Sequence, residues 1–92
     1  MVIDNAEKSQ FEMRVGDALA IAAYRKHGDR IIFTHTEVPS QLEGHGVGGA
    51  LAKEALDSAR RQGLKVVPKC PFIQHYIEKH PEYQDLLIGD TP

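Results

Sequence analysis

Six residues near the middle of the chain, Gly44-His45-Gly46-Val47-Gly48-Gly49, constrain its fold more than any other feature. Ahead of them apolar residues alternate with polar ones, the period of strands. Beyond them apolar residues recur every three or four positions, the period of a helix. Four glycines in six residues exceed what capping a helix requires. Glycines let the backbone approach a ligand closely, and the unpaired N–H groups of a helix start can all point at one anion. The segment is therefore a candidate phosphate cradle set between a strand and a helix.

Two nucleotide readings of this cradle are weak. The segment matches G-x-G-x-x-G literally, but that fingerprint should follow the first strand of a βαβ unit, with an acidic residue about 20 positions on to hold a ribose. Here three antiparallel strands precede it, and the next strand runs into Val67-Pro68-Lys69-Cys70 with no carboxylate. A chain of 92 residues is also too short for a dinucleotide fold. A Walker loop fails because Ala50-Leu51 follow Gly49 where Lys-Ser or Lys-Thr would be needed.

Upstream, Phe11, Met13 and Val15 alternate with polar neighbours, and Gly16-Asp17 suits a two-residue hairpin loop. Leu19, Ile21 and Ala23 continue a second strand that ends near Tyr24-Arg25. A turn over residues 26–29 leads into a third strand, Arg30–Val38, and Val2–Asp4 adds a short edge strand. Downstream, Val47, Leu51, Ala52, Ala55, Leu56 and Ala59 form the apolar stripe of a helix. Gly63 ends it, with Arg60 and Arg61 in the last turn complementing the helix dipole. Leu64–Val67 reads as a buried strand, parallel to Arg30–Val38 across the helix. Pro71 opens a second helix with Phe72, Ile73, Tyr76 and Ile77 on its apolar face, and Tyr83, Leu86 and Leu87 pack as a final short helix. The expected fold class is α+β, one domain over residues 1–92.

Net charge is −2, which argues against a nucleic-acid binder. The local basic group Arg60, Arg61, Lys65 and Lys69 suits at most a small anion. A single cysteine, Cys70, forms no intrachain disulfide and fits a reducing, cytoplasmic setting. No signal-like N-terminus and no apolar run near 20 residues is present, so a soluble, unprocessed chain is expected, off the membrane. Cys70, His75 and His80 are evenly spaced by five, which spreads them around a helix, so no metal site is expected.

Taken together, antiparallel strands, a glycine turn, a long helix, a parallel strand and a further helix resemble the GNAT superfamily of N-acetyltransferases. Its pyrophosphate motif is Arg or Gln, two variable residues, Gly, one variable residue, then Gly or Ala. Glu43-Gly44-His45-Gly46-Val47-Gly48 overlays it, with Glu43 departing from the basic or amide position. A carboxylate there would repel a pyrophosphate, so Glu43 is expected to turn outward and contribute only backbone. The small stand-alone branch of the superfamily is closer still, through His35-Thr36-Glu37-Val38, Gly44–Gly49, Pro68-Lys69-Cys70-Pro71-Phe72 and His80-Pro81-Glu82-Tyr83.

The resemblance implies acetyl-CoA as cofactor and a primary amine as acceptor. It implies a pyrophosphate on Gly44–Gly49, with His45 within reach of a phosphate, and a pantetheine arm in a splay between two parallel strands. Backbone near Glu37 and Val38 would pair with the arm's amides, and Cys70 would sit beside its thiol end. Tyr76, six residues beyond Cys70, matches the tyrosine that often protonates the departing thiolate. Glu37 and His35, two apart on one strand, share a face, and either could take the amine proton directly or through water. Cys70 accepting the acetyl group is the minority mechanism. The chain lacks room for the elements that build an acceptor site in larger members, so that side is expected to be open, or completed by a partner protein or second copy. The alternative function is a CoA- or acyl-CoA-binding or partner-docking module without turnover.

Overall fold

Two tight turns, each led by a glycine, order the first half of the molecule. In the computed structural model, which describes residues 1–87, β1 (Val2–Asn5), β2 (Gln10–Val15), β3 (Ala18–His27) and β4 (Arg30–Glu37) pair antiparallel in chain order. Gly16-Asp17 and Gly28-Asp29 are the turns, with both glycines at positive φ. The second turn is tighter than expected. Arg25, Lys26 and His27 stay in β3, because they pair with Ile32, Ile31 and Arg30 and the ladder extends without needing burial.

The period changes where the glycine segment predicts it. After a short 3-10 turn, Ser40–Leu42, helix α1 (Val47–Arg61) leads to β5 (Lys65–Pro68), which pairs parallel with β4 from Arg30–Lys65 to Phe33–Pro68. The result is the expected α+β class, a five-stranded sheet in the order β1-β2-β3-β4-β5. Helix α2 (Pro71–Lys79) follows, with Pro71 in its first turn, and a 3-10 segment, Pro81–Leu86, completes the described chain.

One cluster forms the core. Phe11, Ala20, Ala22, Tyr24, Ile31 and Phe33 of the sheet meet Leu51, Ala52, Ala55, Leu56 and Ala59 of α1 and Ile73 and Ile77 of α2. Alanines on both sides let α1 lie close on β3. The rings of Phe11, Tyr24 and Phe33, with centroids 5.3 to 6.4 Å apart, fill the bulkier part. Helix α1 ends as expected at Gly63, where Leu64 N–H donates to Ala59 and Gly63 N–H to Arg60, closing the last turn on its own carbonyls.

Two expectations for the C-terminal part are corrected. Phe72 leaves the buried face of α2 and is 40% exposed, while Ile73 and Ile77 anchor that helix. Leu87 lies past the final 3-10 segment, exposed, bridging Val66 in parallel, so only Tyr83 and Leu86 of the three pack inward.

Strand β4 contains a bulge. Tyr24 pairs with Phe33, but its neighbour Ala23 pairs with His35, so Thr34 is an extra residue. Its hydroxyl donates to the Ala23 carbonyl at 3.3 Å. One inserted residue reverses the alternation. Ile31 and Phe33 face the helices before it, and Thr36 does so after it, opposite buried Ala22. His35 and Glu37 thereby turn to the other face of the sheet.

Candidate functional site

The start of α1 is built open. Gly46, the residue before the helix, sits at φ +76° in the left-handed region, and no side chain caps the helix there. The first bond of the helical ladder runs from Ala50 N–H to the Gly46 carbonyl at 3.0 Å, so Val47, Gly48 and Gly49 have no helical acceptor for their N–H groups. Forgoing a side-chain cap with a glycine costs only about a few tenths of a kcal/mol. Buried Leu51 and Leu56 each contribute about 1.5–3 kcal/mol, which outweighs that loss and holds the helix with its donors exposed. An N-terminus of this kind attracts phosphate through both its N–H groups and its dipole.

These donors open into a cavity of about 500 Å³ lined by Thr36, Val38, Leu42, Gly46, Val47 and Phe72, with Glu43, Gly44, Gly48 and Gly49 completing it. Buried Leu42 pins the loop ahead of α1, and Leu42, Glu43 and His45 N–H groups bond back to Pro39, Ser40 and Leu42. Gly44 also takes a positive φ, and no atom lies within 4 Å of a Cβ built on Gly44 or Gly46. The loop is thus shaped by its backbone and leaves the space beside it free. The Glu43 and His45 side chains are exposed, and His45 does not line the cavity. The cradle has the size, the free donors and the missing Cβ atoms that a CoA pyrophosphate needs.

Beyond the cavity's glycine side, β4 runs on past the end of β5, and Thr36 of that strand and Val38 just after it line the cavity while no β5 residue does. Pairing of β4 with β5 ends at Phe33–Pro68, whereas β4 continues to Glu37. Two residues beyond that last pair, Cys70 donates its N–H to the Phe33 carbonyl at 2.9 Å. Cys70 is 2% exposed, and its thiol lies 3.3 Å from the Thr36 hydroxyl, which does line the cavity. Cys70 therefore sits directly behind the cavity wall, screened by Thr36.

His35 and Glu37 come together as their spacing suggests, with Nε2 to Oε2 at 3.3 Å and both side chains largely exposed. They stand beyond the last β4–β5 pair, on the sheet face away from the helices. Tyr76 is placed one helical turn beyond Phe72. Its ring stacks on His80 at 3.9 Å, and a Cβ on Gly49 would meet its edge at 3.9 Å. His80 Nδ1 donates to the Tyr76 carbonyl at 2.8 Å. Burial raises the Tyr76 pKa and keeps the phenol protonated at neutral pH. Tyr76 does not line the cavity; Phe72 does.

The basic group read as an anion site is largely committed elsewhere. Arg60 grips the Asp85 carboxylate at 2.8 and 3.0 Å and the Glu82 carbonyl at 2.7 Å, and Arg61 reaches Glu54 at 2.7 Å. Both lie at the far end of α1 from the glycine turn. Thr36, Leu42 and Phe72 were not singled out from the sequence as site residues. Leu42 carried a signal, as the lone apolar residue in Ser40-Gln41-Leu42-Glu43; the other two depend on the bulge and on how α2 docks. Among the described residues no three His, Cys, Asp or Glu side chains converge as metal ligands, and no helix is long and apolar enough to cross a membrane.

An uncapped helix start after a glycine turn, between an antiparallel sheet and a parallel strand added at its edge, is the arrangement of the N-acetyltransferase class of α+β proteins. Residues 10–86 match the family model for GCN5-related N-acetyl-transferase, and the chain belongs to that family. It is 36% identical to protein NATD1 of Mus musculus over 78 residues, 82% of this chain and 71% of the relative. It is also 36% identical to protein NATD1 of Homo sapiens over 77 residues, 80% of this chain and 68% of the relative. The solution structure of a GCN5-like protein from Staphylococcus aureus superposes with a TM-score of 0.76 at 32% identity, covering 99% of this chain and 90% of that one.

Proposed function

We propose that the protein transfers an acetyl group from acetyl-CoA to a primary amine. The observation that carries this reading is the uncapped N-terminus of α1, whose free donors open into a cavity lined by Thr36 and Val38, where β4 runs on past its pairing with β5. The N–H groups of Val47, Gly48 and Gly49 would hold the pyrophosphate, with Glu43, Gly44 and Gly46 contributing backbone and His45 at the rim. Glu37 and Val38 backbone would meet the amides of the pantetheine arm, and Thr36 with Cys70 would bound its thiol end. Bound there, acetyl-CoA supplies an acetyl group already activated as a thioester.

The chain's own groups handle protons. The Glu37 carboxylate, steadied by His35, takes the proton of an acceptor ammonium arriving from the open face of the sheet, directly or through one water. The Tyr76 phenol gives a proton at the thiol side, relayed by water past Phe72. Tyr76→Phe is expected to slow turnover about tenfold while leaving CoA affinity within twofold. Equal losses in rate and affinity would assign the ring to packing alone. A reducing, cytoplasmic setting suits the single buried thiol of Cys70.

A second reading, a CoA-binding module without turnover, draws on the burial of Cys70 and on the absence of Tyr76 from the cavity lining. Release of CoA thiol from acetyl-CoA, followed with and without a panel of primary amines, separates the two. Amine-dependent release well above the buffer rate supports transfer; tight binding with no such release leaves the module.

A further inference from the structure

Gly48 is a glycine for a different reason from Gly44 and Gly46. Its φ is not positive, so backbone conformation admits any residue there. A Cβ on it, however, would lie 2.8 Å from Cζ of Phe72 and 3.4 and 3.5 Å from the two Cε atoms. The tip of the Phe72 ring is thus seated on the first turn of α1, beside the free N–H groups. The same ring is 40% exposed and forms part of the cavity wall. Ile73 and Ile77 already bury the underside of α2, so Phe72 is not needed to dock the helix. A half-exposed ring whose tip would have to shift for a methyl group at Gly48, next to a phosphate cradle, is a surface shaped for a ligand.

We propose that Phe72, seated by Gly48, is a specificity-determining wall for the arm of CoA. This rests on the assignment of the cradle to the CoA pyrophosphate. The carbon chain leaving that pyrophosphate begins with a methylene and a dimethyl-substituted carbon, an apolar knob directly beside the phosphates. In this site the knob meets the Phe72 ring. Nucleotides such as NAD and ATP carry a ribose or nothing at that point and leave the ring wet. Covering the exposed part of a phenyl ring with apolar ligand is worth about tenfold in affinity. The wall therefore favours CoA and its thioesters over ligands that share only the nucleotide half.

The test is equilibrium titration of wild type, Phe72→Ala, Phe72→Leu, Gly48→Ala and the Gly48→Ala/Phe72→Ala double variant. The probes are CoA and adenosine 3′-phosphate 5′-diphosphate, the nucleotide half with its pyrophosphate and without the arm. Phe72→Ala is expected to weaken CoA about tenfold and the diphosphate less than twofold, with Phe72→Leu restoring most of the loss. Gly48→Ala should weaken CoA several-fold and lower the melting temperature in the wild-type background, and do neither once Phe72 is alanine. Equal losses for both probes would show that the ring merely covers the cradle and overturn the proposal. Unchanged CoA affinity in Phe72→Ala would also overturn it. A wild-type protein that binds neither probe would overturn the cofactor reading and this one with it. In that case the melting temperatures still report whether Gly48 and Phe72 are a matched pair.

Discussion

Gly46→Asp is expected to lower CoA affinity at least about 100-fold, whereas Gly46→Asn lowers it only a few-fold. The two replacements differ in charge and hardly in shape, and Asn and Asp tolerate the left-handed backbone better than other side chains. Nothing lies within 4 Å of a Cβ at Gly46, so either side chain fits and the fold survives. What changes is the field at the start of α1. A carboxylate there takes the N–H donors meant for the pyrophosphate and repels it across a few ångströms, an effect of about 4 kcal/mol at a protein surface. Calorimetry on both variants, with circular dichroism to verify the fold, checks this. A folded Gly46→Asp protein with unchanged affinity would place the phosphates elsewhere.

Phe33→Ala is expected to lose about 3–5 kcal/mol of stability, a large share of what a domain this size has. The ring is wholly buried and lies 6.4 Å from both Phe11 and Tyr24. Its backbone is equally placed, since Phe33 makes the last β4–β5 pair and accepts the Cys70 N–H. Loosening this position frees the end of the β4–β5 pair beside the cavity wall, so CoA affinity should fall along with stability. Urea unfolding followed by circular dichroism measures the loss. A cost below about 1 kcal/mol would mean that the aromatic cluster is not the centre of the core.

The contrast between these two positions and Phe72 shows what the sequence makes legible. Phe33 and Leu51 lie on regular periods, and a regular period reports burial directly, so strands, helix and core follow from it. The glycine turns are equally readable, because each needs a residue without a side chain at a fixed place. The glycine segment marked the cavity for the same reason, and Val38 lines it with those glycines. Thr34 gave no such signal. A bulge is one residue of surplus whose position depends on the partner strand, and nothing in Ile32-Phe33-Thr34-His35 announces it. Yet it decides that Thr36 faces Cys70 while His35 and Glu37 face away. Phe72 matched the apolar period of α2 and so read as core; only the docking of α2 against Gly48 reveals it as a wall. Arg60 read as available charge because Asp85, its partner, is remote in sequence.

The central claim is that the start of α1 holds CoA. Calorimetric titration of the purified protein with acetyl-CoA, CoA and NAD in parallel tests it most directly. Saturable binding of acetyl-CoA and CoA, with none of NAD, is the predicted result. Absence of CoA binding, or comparable binding of NAD, would contradict it.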